Sequence, residues 1–151
     1  MQGVCETLNK KFPTNNLGEV QWYMGCAVER DWNRGTLCMN QTTFTDTLLK
    51  RFDVSSFSDI PAAVSADLGP VREEDTVLER PYRSAVGGLM WLANTTRPDI
   101  ANVARELARQ SHDPCERYWR AVLKVLAYLN TTRTYDLTFS SEESVLQCTV
   151  M

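Results

Sequence analysis

Residues 81–100 read PYRSAVGGLMWLANTTRPDI, and the two prolines in this stretch set the architecture around them. Pro81 and Pro98 each suit the first position of a helix, where φ is already near its helical value and no backbone donor is lost. Tyr82, Val86, Leu89, Met90 and Ala93 recur at helical spacing before a polar corner, and Ile100, Val103, Ala104, Leu107 and Ala108 recur after it. The spacing predicts two amphipathic helices meeting at that corner, each with one face to bury. Gly87 and Gly88 inside the first helix cost about 1 kcal/mol each relative to alanine. They point either to another backbone packed close against that turn or to a tolerated glycine pair.

Downstream, Asp113 can cap a third helix, with Pro114 in its first position and Glu116 placed to reach back as a capping-box carboxylate. Trp119, Val122, Leu123, Leu126 and Leu129 form its apolar stripe, Arg117, Arg120 and Lys124 fall on other faces, and Asn130 suits a left-handed end. Short strands are expected at 137–139 and 145–150 around a Ser/Glu turn. Upstream, Val4, Leu8 and Phe12 predict a short helix running into Pro13. Residues 20–30 alternate, with Val20, Trp22, Met24, Cys26 and Val28 on one side, as in a half-buried strand. A turn at 31–35 returns the chain through 36–40 as a hairpin. Phe44, Leu48, Leu49 and Phe52 then make a helix with Thr42 or Thr43 as its cap. Between 55 and 80 the text turns to Ser, Asp, Pro, Ala and Glu without period; Ile60-Pro61 and Gly69-Pro70 fix extended or turn geometry there, and Arg72-Glu-Glu-Asp75 reads as a solvated acidic run. The expected fold is α+β: an N-terminal β-hairpin with flanking helices over 1–54, a linker over 55–80, a three-helix bundle over 81–133 and a tail with weak strands over 134–151.

The chain has 151 residues, 43% of them hydrophobic, enough for a core without the signature of disorder. Its longest nearly apolar run, 85–93, is far short of the roughly 20 residues that span a bilayer. No signal-peptide pattern opens the sequence, so an intracellular protein without membrane association is expected, and the Asn-x-Thr matches at Asn40, Asn94 and Asn130 are expected to be idle. Cysteines at 5, 26, 38, 115 and 148 are odd in number and widely spaced, which predicts reduced thiols. With one histidine a zinc site is disfavoured, and His112 beside Cys115 reads as a helix-start histidine and a packed or exposed thiol rather than a catalytic dyad. Charge is divided: residues 1–79 carry 7 Lys/Arg against 12 Asp/Glu, whereas 80–133 carry 9 against 4. The basic helical part points to a polyanionic partner or to a solvated basic face. No phosphate-binding glycine loop, nucleophile elbow or metal-ligand cluster appears.

The order and spacing of four segments carry a resemblance: LGEVQWYMGCAVERD (17–31), NQTTFTDTLLKRFDV (40–54), PYRSAVGGLMWLANTTRPDIANVARELAR (81–109) and DPCERYWRAVLKVLAYLNTT (113–132). Over roughly residues 4–139 the chain resembles the C-terminal half of the reverse transcriptase domain of Ty1/copia-type retrotransposon Pol polyproteins. The resemblance implies that the hairpin is the end of a polymerase palm, with Trp22, Tyr23, Met24 and Gly25 in the place of the primer grip. Trp22 and Tyr23 suit packing against a primer terminus, core packing being the alternative for one of them. The helices after residue 80 would be the thumb, following the template–primer duplex with Arg97, Arg105, Arg109, Arg117, Arg120 and Lys124 neutralising phosphates.

The departures bear on activity. The family's Tyr-x-Asp-Asp turn and earlier palm aspartate do not occur in this sequence, nor does the Ser-Asp-Ala-Asp opening of its RNase H domain. No cofactor is expected in this chain, Mg²⁺ being implied for the complete family enzyme, and no polymerase activity is expected of this chain alone. The family's His before Trp119 is Tyr118 here, and its Lys-Gly-Thr after the last helix is Asn130-Thr131-Thr132. The expected function is template–primer binding as a non-catalytic part of such an enzyme, with the rest of the Pol polyprotein or a second copy as further partners. The alternatives are a nucleic-acid-binding or a protein-interaction module put to another use.

Overall fold

A computed structural model describes residues 2–15, 17–63, 68–70, 72–76, 80–140 and 147–150. The Ser/Glu turn expected within 141–146 and parts of the expected linker (64–67, 71 and 77–79) lie outside the described residues. The elements are α1 (Gln2–Asn9), β1 (Trp22–Tyr23), β2 (Cys26–Asp31), β3 (Thr36–Asn40), α2 (Thr42–Arg51), α3 (Tyr82–Thr95), a 3-10 turn (Pro98–Ile100), α4 (Ala101–Arg109), α5 (Glu116–Thr131), β4 (Leu137–Ser140) and β5 (Gln147–Val150). The fold is α+β, as the periodicities predict.

Apolar stripes at helical spacing converge on one core. Leu48 and Leu49 of α2, Ala85, Leu89 and Leu92 of α3, Val103, Ala104 and Leu107 of α4, and Val122, Leu126 and Leu129 of α5 are all buried together. Each large side chain withdrawn from water contributes about 1.5–3 kcal/mol. The helix α2, placed with the hairpin on sequence grounds, is therefore the fourth member of the bundle. Its beginning has no side-chain cap: Gln41 occupies the N-cap, not Thr42 or Thr43. Likewise Cys115, with extended backbone, precedes α5, so Asp113 does not cap it. Asn130 stays helical and its amide donates to Ser56 O at 3.1 Å.

The expected linker is a strap laid along α4 and α5. Gln110 Nε2 donates to Leu68 O at 3.0 Å, the Tyr118 hydroxyl to Gly69 O at 2.6 Å, and the Glu116 amide to Thr76 O at 3.3 Å. Tyr118 is wholly buried beside Trp119, and its hydroxyl meets the requirement that a buried polar group find a partner. The acidic run of the strap is not merely solvated: the Asp75 carboxylate lies 2.8 Å from Arg117 Nη2, with the two side chains 11% and 20% exposed.

The strands form a five-stranded antiparallel meander in the order β1-β2-β3-β4-β5. Asp31 shapes the β2–β3 turn by accepting from the Asn33 and Arg34 amides, and Gly35 closes it with φ of 61°. The alternation expected to run unbroken from 20 to 30 is cut at Met24-Gly25, where φ values of 47° and 80° make a two-residue hairpin turn. Cys26 thus pairs with Tyr23 and shares its face, while Trp22 pairs with Ala27 on the other. A strand from the tail completes the sheet: Met39 pairs with Leu137 and Leu37 with Phe139.

The glycine pair resolves into two different residues. A Cβ on Gly88 would meet Leu48 Cδ2 at 2.7 Å, whereas one on Gly87 would meet nothing within 4 Å. The close neighbour is a leucine side chain of α2, not another backbone. Gly87→Ala is expected to raise stability by about 0.5–1 kcal/mol through helix propensity. Gly88→Ala is expected to lower it by about 1–2 kcal/mol, because overpacking outweighs that gain. Denaturant melts of both variants, and of Gly88→Ala combined with Leu48→Ala, test the contact; independent, additive effects of the two changes would disprove it.

Candidate nucleic-acid interface

The six cations expected to face phosphates meet different fates. Arg97 is 2% exposed, the reverse of a solvent-facing contact. Its Nε and Nη2 donate to the two Asp99 carboxylate oxygens at 3.0 and 2.7 Å. Nη1 and Nη2 also donate to Thr132 O and Oγ1 at 3.0 and 2.6 Å. The rings of Tyr128 and Tyr135 each lie 5.5 Å from the guanidinium carbon. Burial pushes the Asp99 carboxyl up, but hydrogen bonds and charge from Arg97, with the Tyr128 hydroxyl, outweigh it and hold the group below its ordinary value. Arg97 therefore ties the α3–α4 corner to the end of α5, and the reading of it as a phosphate ligand is corrected.

Arg117 is also engaged, with Asp75 and with Pro70 O at 3.0 Å, and Arg109 pairs with Glu106 at 3.0 Å across one helical turn. Three remain: Arg105 of α4 and Arg120 of α5 are exposed, Lys124 of α5 is half-buried, and among the described residues none has an ion pair or hydrogen bond. Arg117, Arg120 and Lys124 lie within two turns of one helix face. The counter-ion that the pattern could not reveal is Asp75, 42 positions from Arg117.

Trp22, Tyr23, Met24 and Gly25 occupy the tip of the β1–β2 hairpin. Trp22, Tyr23 and Met24 are 55%, 59% and 62% exposed, so neither aromatic is a core residue. Met24 holds a left-handed conformation that costs an L-residue about 1–2 kcal/mol, and the strain presents its side chain to solvent at the turn. Nearby, the Trp32 indole donates to Glu19, and the Arg30 guanidinium stacks 3.7 Å from the Trp32 ring. Neither residue stood out in the sequence; a cation two positions before an exposed tryptophan was the available signal. Among the described residues no three His, Cys, Asp or Glu side chains cluster to hold a metal, so the Mg²⁺ implied by the resemblance has no fitting carboxylate set there. The described cysteines 5, 26, 38 and 115 are free thiols, and no described helix is long and apolar enough to cross a membrane.

Replacing Arg97 by alanine is expected to lower stability by about 3–5 kcal/mol, because Asp99 keeps a partly buried charge without its partner; a denaturant melt within 1 kcal/mol of the parent would contradict the assignment. Asp75 is held at about 2, well under an ordinary 3.8, first by the Arg117 hydrogen bond and then by the Arg72 amide. A depressed carboxyl stabilises above its unfolded value and loses that contribution as pH falls. Stability is thus expected to drop between about pH 4 and pH 2, with a shallower drop in Asp75→Asn; equal slopes in urea melts of the two proteins would refute the pairing.

The chain is 28% identical over 148 residues to the retrovirus-related Pol polyprotein from transposon TNT 1-94 of Nicotiana tabacum, covering 93% of this chain and 11% of that protein. It is 47% identical over 60 residues to the secreted RxLR effector protein 161 of Plasmopara viticola, covering 40% of this chain and 42% of that one. It is 27% identical over 139 residues to the retrovirus-related Pol polyprotein from transposon RE2 of Arabidopsis thaliana, covering 91% of this chain and 9% of that protein. The chain thus spans less than half the length of each of these relatives. No protein-family model matches it, and no solved structure does. Over most of its length the chain is similar to the Pol polyproteins of retrotransposons.

Proposed function

We propose that this chain is the palm-end and thumb portion of a copia-type reverse transcriptase, gripping the template–primer without performing the chemistry. The observation that carries the reading is the trio Arg105, Arg120 and Lys124 on α4 and α5, which have no anionic partner among the described residues while other cations of the bundle are tied down. Uncompensated guanidinium and ammonium groups on neighbouring helices attract a polyanion and release its counterions on binding. The similarity to retrotransposon Pol polyproteins supports nucleic acid as that polyanion. The exposed hairpin tip, with Trp22 and Met24 projecting, supplies an apolar contact for the end of the primer strand. Two-metal phosphoryl transfer requires converging carboxylates, which the rest of the polymerase would contribute.

Binding of a fluorescent RNA/DNA duplex across a salt series tests this. Three phosphate contacts give a log–log slope of about −2.7, so affinity should fall about 40-fold from 50 to 200 mM salt. Arg105→Glu and Arg120→Glu should each weaken binding and reduce the slope by about one. Absence of binding at 50 mM salt, or a slope near zero, refutes the reading.

A second reading is favoured by the apolar surface of the N-terminal third. Val4 and Phe12 are each 64% exposed and Leu17 93%, and Trp32, 64% exposed, lines an open hollow of about 790 Å³ together with Val20, Val28 and Leu37. Such a surface fits a protein partner, either the remainder of a Pol polyprotein or a second copy. Salt-insensitive oligomers in sedimentation would support it, and a monomer at high concentration would rule out self-association.

A further inference from the structure

Against the face of α5 lies a half-open hollow of about 210 Å³ lined by Ala62 and Leu68 of the strap, Val103 of α4 and Ala121 of α5. Arg117, Arg120 and Lys124 rim the same opening. Arg117 is held by Asp75 and serves as wall, since its guanidinium is committed at 2.8 Å. Arg120 and Lys124 are not committed to any described residue. An apolar hollow beside two uncommitted cations asks for a ligand that joins an apolar body to an anion: neither a hydrocarbon nor a bare phosphate satisfies both halves. The volume is the share of about seven liquid waters, the scale of one heterocyclic ring system and below that of a drug-sized pocket. The two cations are one helical turn apart, roughly 6 Å along the axis, so one phosphate can engage both.

We infer that this slot is a nucleotide subsite, taking one unpaired base of a bound single strand between the strap and α5 with its phosphate on Arg120 and Lys124. The inference rests on the nucleic-acid reading of the α4–α5 face and adds to it a preference: the face holds a strand with a free base more tightly than a closed duplex, whose stacked bases cannot enter. Ala121 is the gauge of the slot. Its methyl leaves the slot open, and a leucine there fills it without altering charge and with little loss of helix propensity.

The test compares a labelled twelve-nucleotide single strand with the matching duplex, on the whole chain, in the parent, Ala121→Leu and Ala62→Leu; the last variant fills the slot from the strap side should the first disturb the helix. Both are expected to lower single-strand affinity about tenfold, the scale of expelling one ring from aliphatic contact, while leaving duplex affinity and both salt slopes unchanged. Arg120→Gln is expected to weaken both nucleic acids and to reduce both slopes by about one. Equal loss for single strand and duplex, or no loss in either filled variant, overturns the subsite and leaves the nucleic-acid reading standing. Where neither nucleic acid binds at 50 mM salt the broader reading fails, and titration with adenosine monophosphate then decides the subsite alone. Saturable binding that Ala121→Leu abolishes, and that adenosine or inorganic phosphate does not reproduce, supports it. No saturable binding, or phosphate binding equally well, overturns it.

Discussion

The buried fork of Arg97 sits where everything else in the molecule has to pass. The chain leaves the sheet once, from β3 through Gln41 into α2, and returns to it once, from α5 through Thr132 toward β4. Both crossings are held by neighbouring residues of the same corner: Thr96 donates to Gln41 Oε1 at 2.9 Å, and Arg97 grasps the Thr132 carbonyl and hydroxyl. Thr42 closes the junction by donating to Arg133 O at 3.2 Å. A bidentate guanidinium–carboxylate pair is directional as well as strong, so it fixes an angle where a greasy contact would fix only proximity. Among the described residues the buried Gln41 Nε2 has no hydrogen-bond partner.

That architecture also decides which cations of the bundle stay uncommitted. The bundle region carries nine Lys and Arg residues, and the fold spends most of them internally. Arg80 faces Glu116, Arg83 donates to Ser111 O, Arg133 lies near Asp46, and Arg97, Arg109 and Arg117 have the partners described above. Among the described residues, Arg105 on α4 and Arg120 and Lys124 on α5 are left over. The strap contributes twice, by neutralising Arg117 and by raising an apolar wall beside Arg120 and Lys124. The ion pair and the apolar wall thus come from one piece of chain that, among its described residues, carries no regular secondary structure.

Periodic residues made the helices legible, because a stripe such as Val122, Leu126 and Leu129 declares both the element and the face it buries. The α+β class and the β2–β3 hairpin followed from equally local signals. Long-range relations left no such mark. Nothing near Leu48 announces Gly88, and nothing near Arg117 announces Asp75, so α2 was assigned to the wrong neighbours and the strap was read as a linker. Arg97 misled for a physical reason: an arginine after a helix in a polar corner reads as solvent-facing until the Asp99 two positions on is seen to fold back onto it. The Met24-Gly25 turn was hidden because methionine is an uncommon choice for positive φ, and the alternation around it continues unbroken in the text.

The pairing of β3 with β4 gives the topology a further meaning. Neighbouring strands whose partners, such as Cys38 and Thr138, lie 100 residues apart enclose the whole helical bundle as an excursion from a single hairpin. The entropy of bringing such distant ends together grows with the length of free chain between them, and a folded bundle shortens that chain to the width of its own base. Strand β4 can find its place cheaply only once the helices have assembled, which makes the tail the last segment to join and its amide protection a reporter on the integrity of the bundle.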